Sequence, residues 1–412
     1  MGMRRKSSLT WYFQRWKTRK NDDGVGIGSH EHMIPRPLAR AFSRHSPKMD
    51  FPIHSLSHKH RLAATYPWTS SPLIISAPMR VMSGPDLAVS VSLSGGIGFI
   101  GPGLTPESTS LDLAAAKSVL PPDHNPETLL PIGVGFQLWN GSLSHASSAL
   151  STHRPCAAWL FAPSTQGGQS EVDQWTTTLR AASPQTQIWL QVGTVSAALA
   201  AARSATPPDV LVIQGCEAGG HGQVNLHGSG AGFITLLPEI ADALRSSNIP
   251  LFAAGGISDG RGAVAALGVG AAGVVMGTRF LASKQARICK GYQDEVVRAS
   301  EGSTSTVRTQ LYNHLRGTFG WPEEYSPRTV VNRSWREERE GVPFDELKRK
   351  HDELVAQADG NEAWGPEGRT ATYAGAGVGL VREVRDAGDI VREVREQACT
   401  IVKMLGQLAD PS

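Results

Sequence analysis

The sequence predicts an α/β chain: a parallel TIM (β/α)8 barrel followed by a mainly helical C-terminal extension. Three observations carry this expectation. Eight short apolar runs recur between residues 73 and 278. All but the first, which closes on Pro78-Met79, end in glycine, proline or a polar residue, and helix-length segments lie between them. The runs are near-continuously apolar rather than alternating, which suits strands buried on both faces of a parallel sheet. Eight strand–helix units favour closure into a barrel over an open doubly wound sheet.

The runs, in order, are Leu73–Met79, Gly96–Gly101, Leu130–Gln137, Ala157–Pro163, Gln187–Gly193, Val210–Gly215, Pro250–Gly256 and Gly273–Thr278. Among the intervening segments, Pro85–Leu93, Thr194–Arg203, Leu236–Leu244 and Gly260–Leu267 carry Ala- and Leu-rich helical patterns. After the eighth run, helices are expected at Ala282–Ser300 and Ser303–Arg316. A charged stretch, Arg333–Glu353, and the glycine-rich Tyr373–Gly379 then precede a helix at Leu380–Leu408. The expected division is 1–65 as a basic, disordered extension, 66–285 as the cofactor-binding barrel, and 286–412 as a helical extension packing on the barrel mouth.

The chain has 40 Lys and Arg against 37 Asp and Glu, a net +3. Residues 1–60 hold 12 of the basic and 4 of the acidic residues, which leaves 28 against 33 in the remainder. The body is therefore mildly acidic, which argues against a nucleic-acid-binding protein. No stretch approaches the roughly 20 apolar residues of a membrane span. Cys156, Cys216, Cys289 and Cys399 are scattered, with no C-x-x-C pair and no metal-ligand spacing. That pattern points to a reducing, cytoplasmic compartment and to no metal site. The arginine-rich start raises a mitochondrial leader, against which Asp22, Asp23 and Glu31 count.

Chemistry in such a barrel sits on the loops that follow the strands. After the sixth run comes Gln214-Gly215-Cys216-Glu217-Ala218-Gly219-Gly220-His221-Gly222. Glycines there allow close backbone approach to a bound ring. His221 would project from this loop as a proton acceptor suited to neutral pH. Six of the 13 histidines lie in residues 1–60, so position rather than residue type singles out His221. His227 is a second candidate. Gly255 and Gly256 close the seventh run, and Met276-Gly277-Thr278 close the eighth, with Arg279 directly after. Loops at these two positions commonly form a phosphate site. Thr278 would add a hydroxyl donor, and Arg279 a charge. Pro78 and Met79 close the first run, Gln137 closes the third, and Gln191 lies near the end of the fifth. Glutamine both donates and accepts hydrogen bonds, as reading the edge of a flavin-like heterocycle requires. The glycines of Ser94–Gly101 fall within the second run rather than after it, which excludes a dinucleotide loop.

These residues resemble the nitronate monooxygenase family, formerly called 2-nitropropane dioxygenases. The matching pieces are SAPM at 76–79, SGGIGFIG at 94–101, QGCEAGGHG at 214–222, AAGGISDGRG at 253–262 and VVMGTRFL at 274–281. LRGTFGWP at 315–322 and YAGAGVGLVREV at 373–384 look like fungal-type members. The resemblance covers roughly residues 66–405. It implies a barrel that binds FMN without covalent attachment and oxidises an alkyl nitronate by O2 to a carbonyl compound and nitrite. It implies a small-molecule nitronate and O2 as partners, with no nucleic acid and no membrane. His221 matches the family's catalytic histidine. Gln137, Gln214, Gly219 and Gly256 match flavin-contacting positions, and Met276–Arg279 matches the phosphate segment. Gln137 departs from the many relatives that carry asparagine or another residue there. Two alternatives stand beside this reading: an NAD(P)H-dependent reductase of the enoyl-carrier-protein or quinone type, and a non-catalytic flavin-binding or interaction protein.

Overall fold

Each of the eight apolar runs supplies one strand of a closed parallel barrel. The described residues of this computed structural model are 54–121, 128–224, 230–357 and 361–408. The strands are β1 (Ile74–Ser76), β2 (Ile97–Ile100), β3 (Leu130–Gln137), β4 (Pro155–Phe161), β5 (Gln187–Val192), β6 (Val210–Gln214), β7 (Gly220–Gln223), β8 (Leu251–Ala254), β9 (Gly273–Met276), β10 (Thr306–Arg308) and β11 (Tyr325–Val330). The barrel order is β1-β2-β3-β4-β5-β6-β8-β9. It closes where Ile74 registers with Val274, while Ile75 registers with Ile97 on the other side. The remaining strands form a separate antiparallel sheet, β10-β11-β7.

Strand side chains alternate between two faces, and here both faces are buried. Ile75, Phe99, Trp159, Trp189, Phe252 and Val275 share one cluster inside the barrel. Phe99 meets Trp159 edge-on at 5.2 Å, and Trp189 meets Phe252 at 4.8 Å. Tyr66 closes the floor, its hydroxyl accepting a hydrogen bond from Trp189 Nε1 at 2.9 Å. Ile74, Val134, Leu160, Ile213 and Val274 belong to the larger cluster beneath the helices. The segment before residue 66 differs from expectation where it is described. His54–Thr65 is a helix, and Leu62 is buried in the interior cluster. Residues 1–53 lie outside the described residues.

The helix pattern holds best inside the barrel. Pro85–Leu93 is helical over the expected range. Val195–Arg203 is capped by Thr194, whose Oγ1 accepts from Ala197 N at 3.1 Å. Phe233–Ala243 begins three residues before the expected start. The helix Gly260–Gly268 is capped by Asp259, which accepts from Arg261 N at 2.9 Å and Gly262 N at 3.3 Å. Asp259→Ala is expected to cost about 1 kcal/mol of stability, read as a lower urea midpoint.

Beyond the barrel the outcome is mixed. The expected helix at Ala282–Ser300 is confined to Lys290–Arg298. Ser303–Arg316 is not one helix: β10 separates the short turns Gly302–Ser305 and Leu311–Leu315. β-Branched Thr306 and Val307 suit the strand that pairs with β11. The last helix is Ala387–Leu408 rather than Leu380–Leu408. It does not lie on the mouth. It packs against the helices Pro85–Leu93 and Gly260–Gly268, the position of the eighth barrel helix. Gln397 Oε1 accepts from Gly260 N at 2.9 Å, and Arg395 donates to the carbonyls of Ser94 and Gly95. The sheet β10-β11-β7 and the segment around residues 373–377 reach the mouth instead. Barrel and C-terminal segments belong to one compact unit, Phe51–Ser412.

Candidate functional site

A cavity of about 540 Å³ opens at the C-terminal ends of the barrel strands. This lies within the range of about 300–1,000 Å³ typical of small-molecule sites. Pro78 and Met79 line it after β1, and Gln137 ends β3 beside it. Gln191 of β5 and Gln214 of β6 face it as well. Trp159 Nε1 donates to Gln191 Oε1 at 3.1 Å, which leaves the Gln191 amide N–H groups for a ligand. Gln214 Nε2 donates to the His221 carbonyl at 3.3 Å, which leaves its Oε1 as an acceptor.

Gly219, Gly220 and His221 line one wall; Gly255, Gly256, Gly277 and Thr278 line another. Gly255 and Gly256 have φ of +108° and +69°, a conformation that excludes most side chains. A Cβ on Gly219 would lie 2.5 Å from the backbone of Ala374 and Gly375, so the C-terminal segment can approach only a glycine there. Gly375 N donates to Thr278 Oγ1 at 2.9 Å, and Ala376 N donates to the Glu217 carbonyl at 2.8 Å. The segment 373–377 thus bridges both walls.

Two expected residues stand apart from the cavity. Met276 is buried in the layer beneath the helices, because its neighbour Val275 takes the inward face of β9. Arg279 is also buried and donates to the carbonyls of Ala282 and Glu383 at 3.4 and 3.2 Å. Thr278 and Arg279 open a helical turn, so their side chains diverge by about 100°. Thr278 faces the cavity, and Arg279 braces the C-terminal segment. His227 lies outside the described residues.

His221 sits on a strand rather than on a free loop. It belongs to β7, in register with Pro327 of β11. Arg308 holds the turn before it. Its guanidinium donates to the carbonyls of Cys216 and Ala218 at 3.1 Å, of Gly220 at 3.3 Å, and of Ser326. Trp321 stacks on the imidazole with centroids 3.7 Å apart and planes 11° apart. Asn313 Nδ2 lies 2.9 Å from His221 Nε2. Burial, followed by the positive charge of Arg316, pushes the imidazole pKa down to about 3. His221 is therefore neutral at ordinary pH. Arg80 and Arg316 also line the cavity, and each lowers the His221 pKa by its charge.

Asn313, Trp321, Tyr373, Arg80 and Arg316 were not anticipated as site residues. Trp321 and Tyr373 fall in the phrases LRGTFGWP and YAGAGVG, which were legible as family text without a place in space. Counting strands positions only the loops of the barrel itself. Among the described residues, no group of three or more His, Cys, Asp or Glu is arranged to hold a metal. No helix among them is long and apolar enough to cross a membrane.

The family model described as nitronate monooxygenase matches residues 178–394. The nitronate monooxygenase npaC of Metarhizium robertsii is 62% identical over 350 residues, covering 84% of this chain and 96% of that protein. The nitronate monooxygenase of Neurospora crassa is 36% identical over 392 residues, covering 88% of this chain and all of that protein. FabK from Thermotoga maritima shares the fold with a TM-score of 0.63 at 23% identity, covering 84% of this chain and 98% of that one. The nitroalkane oxidase of Streptomyces ansochromogenes also gives 0.63, at 22% identity, covering 83% of this chain and 99% of that one. The two structural likenesses are equal and establish the barrel fold alone. The family model and the 62% identity settle the membership: this chain belongs to the nitronate monooxygenase family and is an oxidoreductase.

Proposed function

We propose that this chain oxidises alkyl nitronates with O2 to a carbonyl compound and nitrite, with FMN in the cavity and His221 handling the proton. The observation that carries this is the placement of His221 on a glycine-walled cavity that Arg80 and Arg316 also line. Family membership implies a flavin, and the residues present fit one. A Cβ on Gly277 would meet no protein atom nearer than Met79 Sδ at 3.7 Å, so it would grow into space a ligand can use. The glutamine amides supply both donors and acceptors for a heterocycle edge. The turns at Gly255–Gly256 and Gly277–Thr278 would hold the phosphate. When bound, FMN supplies the electron acceptor and the centre that reacts with O2.

The chain's own residues bind, orient and move the proton. Arg80 and Arg316 make the mouth electropositive, which favours an anionic nitronate. Trp321 covers one face of His221 and excludes water from it. A neutral nitroalkane must first lose a proton, and His221 is the cavity's neutral base.

Nitrite release from a preformed nitronate is the direct test. Between about pH 5 and 8 the rate should show no inflection from His221, because its folded pKa lies far below that window. Stability behaves differently. The folded pKa is depressed, so the neutral ring's contribution is complete above the unfolded value of 6.5 and is lost as pH falls toward about 3. Absence of nitrite from any nitronate would overturn the reading.

A further inference from the structure

We infer that Asn313 is a positioning residue that keeps the His221 proton on Nδ1, so that the ring meets its ligand as a hydrogen-bond donor. This rests on the reading that His221 faces the reacting substrate. Gln310 fixes one end of the Asn313 amide. Gln310 Nε2 donates to the Tyr325 carbonyl at 2.7 Å, which leaves its Oε1 as an acceptor. That oxygen takes a hydrogen bond from Asn313 Nδ2 at 2.7 Å. Tyr373 and Arg316 fix the other end. The Tyr373 hydroxyl donates to Asn313 Oδ1 at 3.2 Å, and Arg316 Nη2 reaches the same oxygen at 3.5 Å. Arg316 also donates to the Tyr373 hydroxyl, so the hydroxyl proton is available to Asn313. Arginine has no acceptor, so a flipped amide would set an NH2 against a guanidinium and an oxygen against an oxygen.

With the amide fixed, its second N–H points at His221 Nε2, 2.9 Å away. One N–H cannot accept from another. Nε2 is therefore the acceptor, and the proton of the neutral ring lies on Nδ1. Asn313 is buried and lies behind the cavity wall, whereas His221 lines the cavity. Nδ1 has no protein partner among the described residues. A ligand in the cavity then meets an N–H.

This arrangement selects by protonation state. A nitronate oxygen carries negative charge and accepts from Nδ1–H without rearrangement. A neutral nitroalkane needs a lone pair to take its proton. His221 offers one only after its bond to Asn313 breaks or its tautomer changes. The charged and titratable groups around the ring are Arg316, Arg308, Arg80 and Tyr373; none of these supplies a carboxylate that would move the proton to Nε2.

Asn313→Asp supplies that carboxylate. It would accept from Nε2–H, free the Nδ1 lone pair and raise the imidazole pKa. The ratio of kcat/KM for a nitronate to that for its conjugate nitroalkane should fall by about tenfold or more. The pH profile should also gain an ionisation that the unaltered protein lacks. Asn313→Leu should slow both substrates without adding that ionisation. An unchanged ratio in Asn313→Asp, with no new ionisation, overturns the inference. The tautomer can be read in the unaltered protein by ¹⁵N NMR, with the His221 signals identified by their loss in His221→Asn. The proton is expected on Nδ1, and a proton on Nε2 overturns the inference even where Asn313 variants fail to fold. Absence of nitrite from either substrate in the unaltered protein refutes the proposed function instead, and the NMR readout still decides the role of Asn313.

Discussion

Replacing His221 with asparagine is expected to cut turnover of a neutral nitroalkane by about 10²–10⁴-fold, the usual contribution of a positioned acid–base group. Turnover of a preformed nitronate should fall much less, since only one hydrogen bond to the ligand is lost. The difference follows from the chemistry of the two substrates. The nitroalkane must surrender a proton inside the cavity, and the nitronate has already done so. His221 lines the cavity in its neutral form, and its lone pair becomes available for that proton once its bond to Asn313 is exchanged or its tautomer changes. Its ring is held by Trp321 on one face and Asn313 at Nε2. Steady-state kinetics on both substrates at one pH checks the prediction. Equal loss on both would remove His221 from the role of base.

Arg308→Met is expected to cost about 3 kcal/mol of stability and to weaken catalysis with it. Arg308 gathers four carbonyls, those of Cys216, Ala218, Gly220 and Ser326. They belong to the turn before His221 and to the strand that pairs with it. Burial pulls the Arg308 guanidinium down to about 10, so the site already bears the cost of a desolvated cation. Removing it takes a charged side-chain donor from each of these carbonyls. Arg328 reaches only one of them, the Cys216 carbonyl at 3.1 Å. Arg308→Lys should restore part of the loss, because an ammonium keeps the charge but lacks the planar fork. Urea midpoints for the three proteins measure this. A loss below about 0.5 kcal/mol in Arg308→Met, the range of an ordinary surface substitution, would contradict it.

The barrel and its strand-end residues were legible because they are local. A strand buried on both faces must be apolar along its length, so LIISAPM and VLVIQG announce themselves. Strand order then placed Gln137, Gln191, Gln214, His221 and the two glycine turns around one opening. The same logic failed by one residue at Met276 and Arg279, where strand alternation and the start of a helical turn carry the side chains away. The second sheet was not legible. β7 is Gly-His-Gly-Gln, with no apolar pattern of its own, and it becomes a strand only through β11, over 100 residues later. Asn313 reaches His221 through that same long-range fold. Local pattern carries no sign of it.

Anaerobic mixing of the purified protein with a nitronate, and separately with NADPH, shows from the flavin spectrum which of the two reduces it. Bleaching by the nitronate alone is expected, with nitrite released once O2 is admitted. Bleaching by NADPH with none by the nitronate would contradict it and assign the barrel to a reductase.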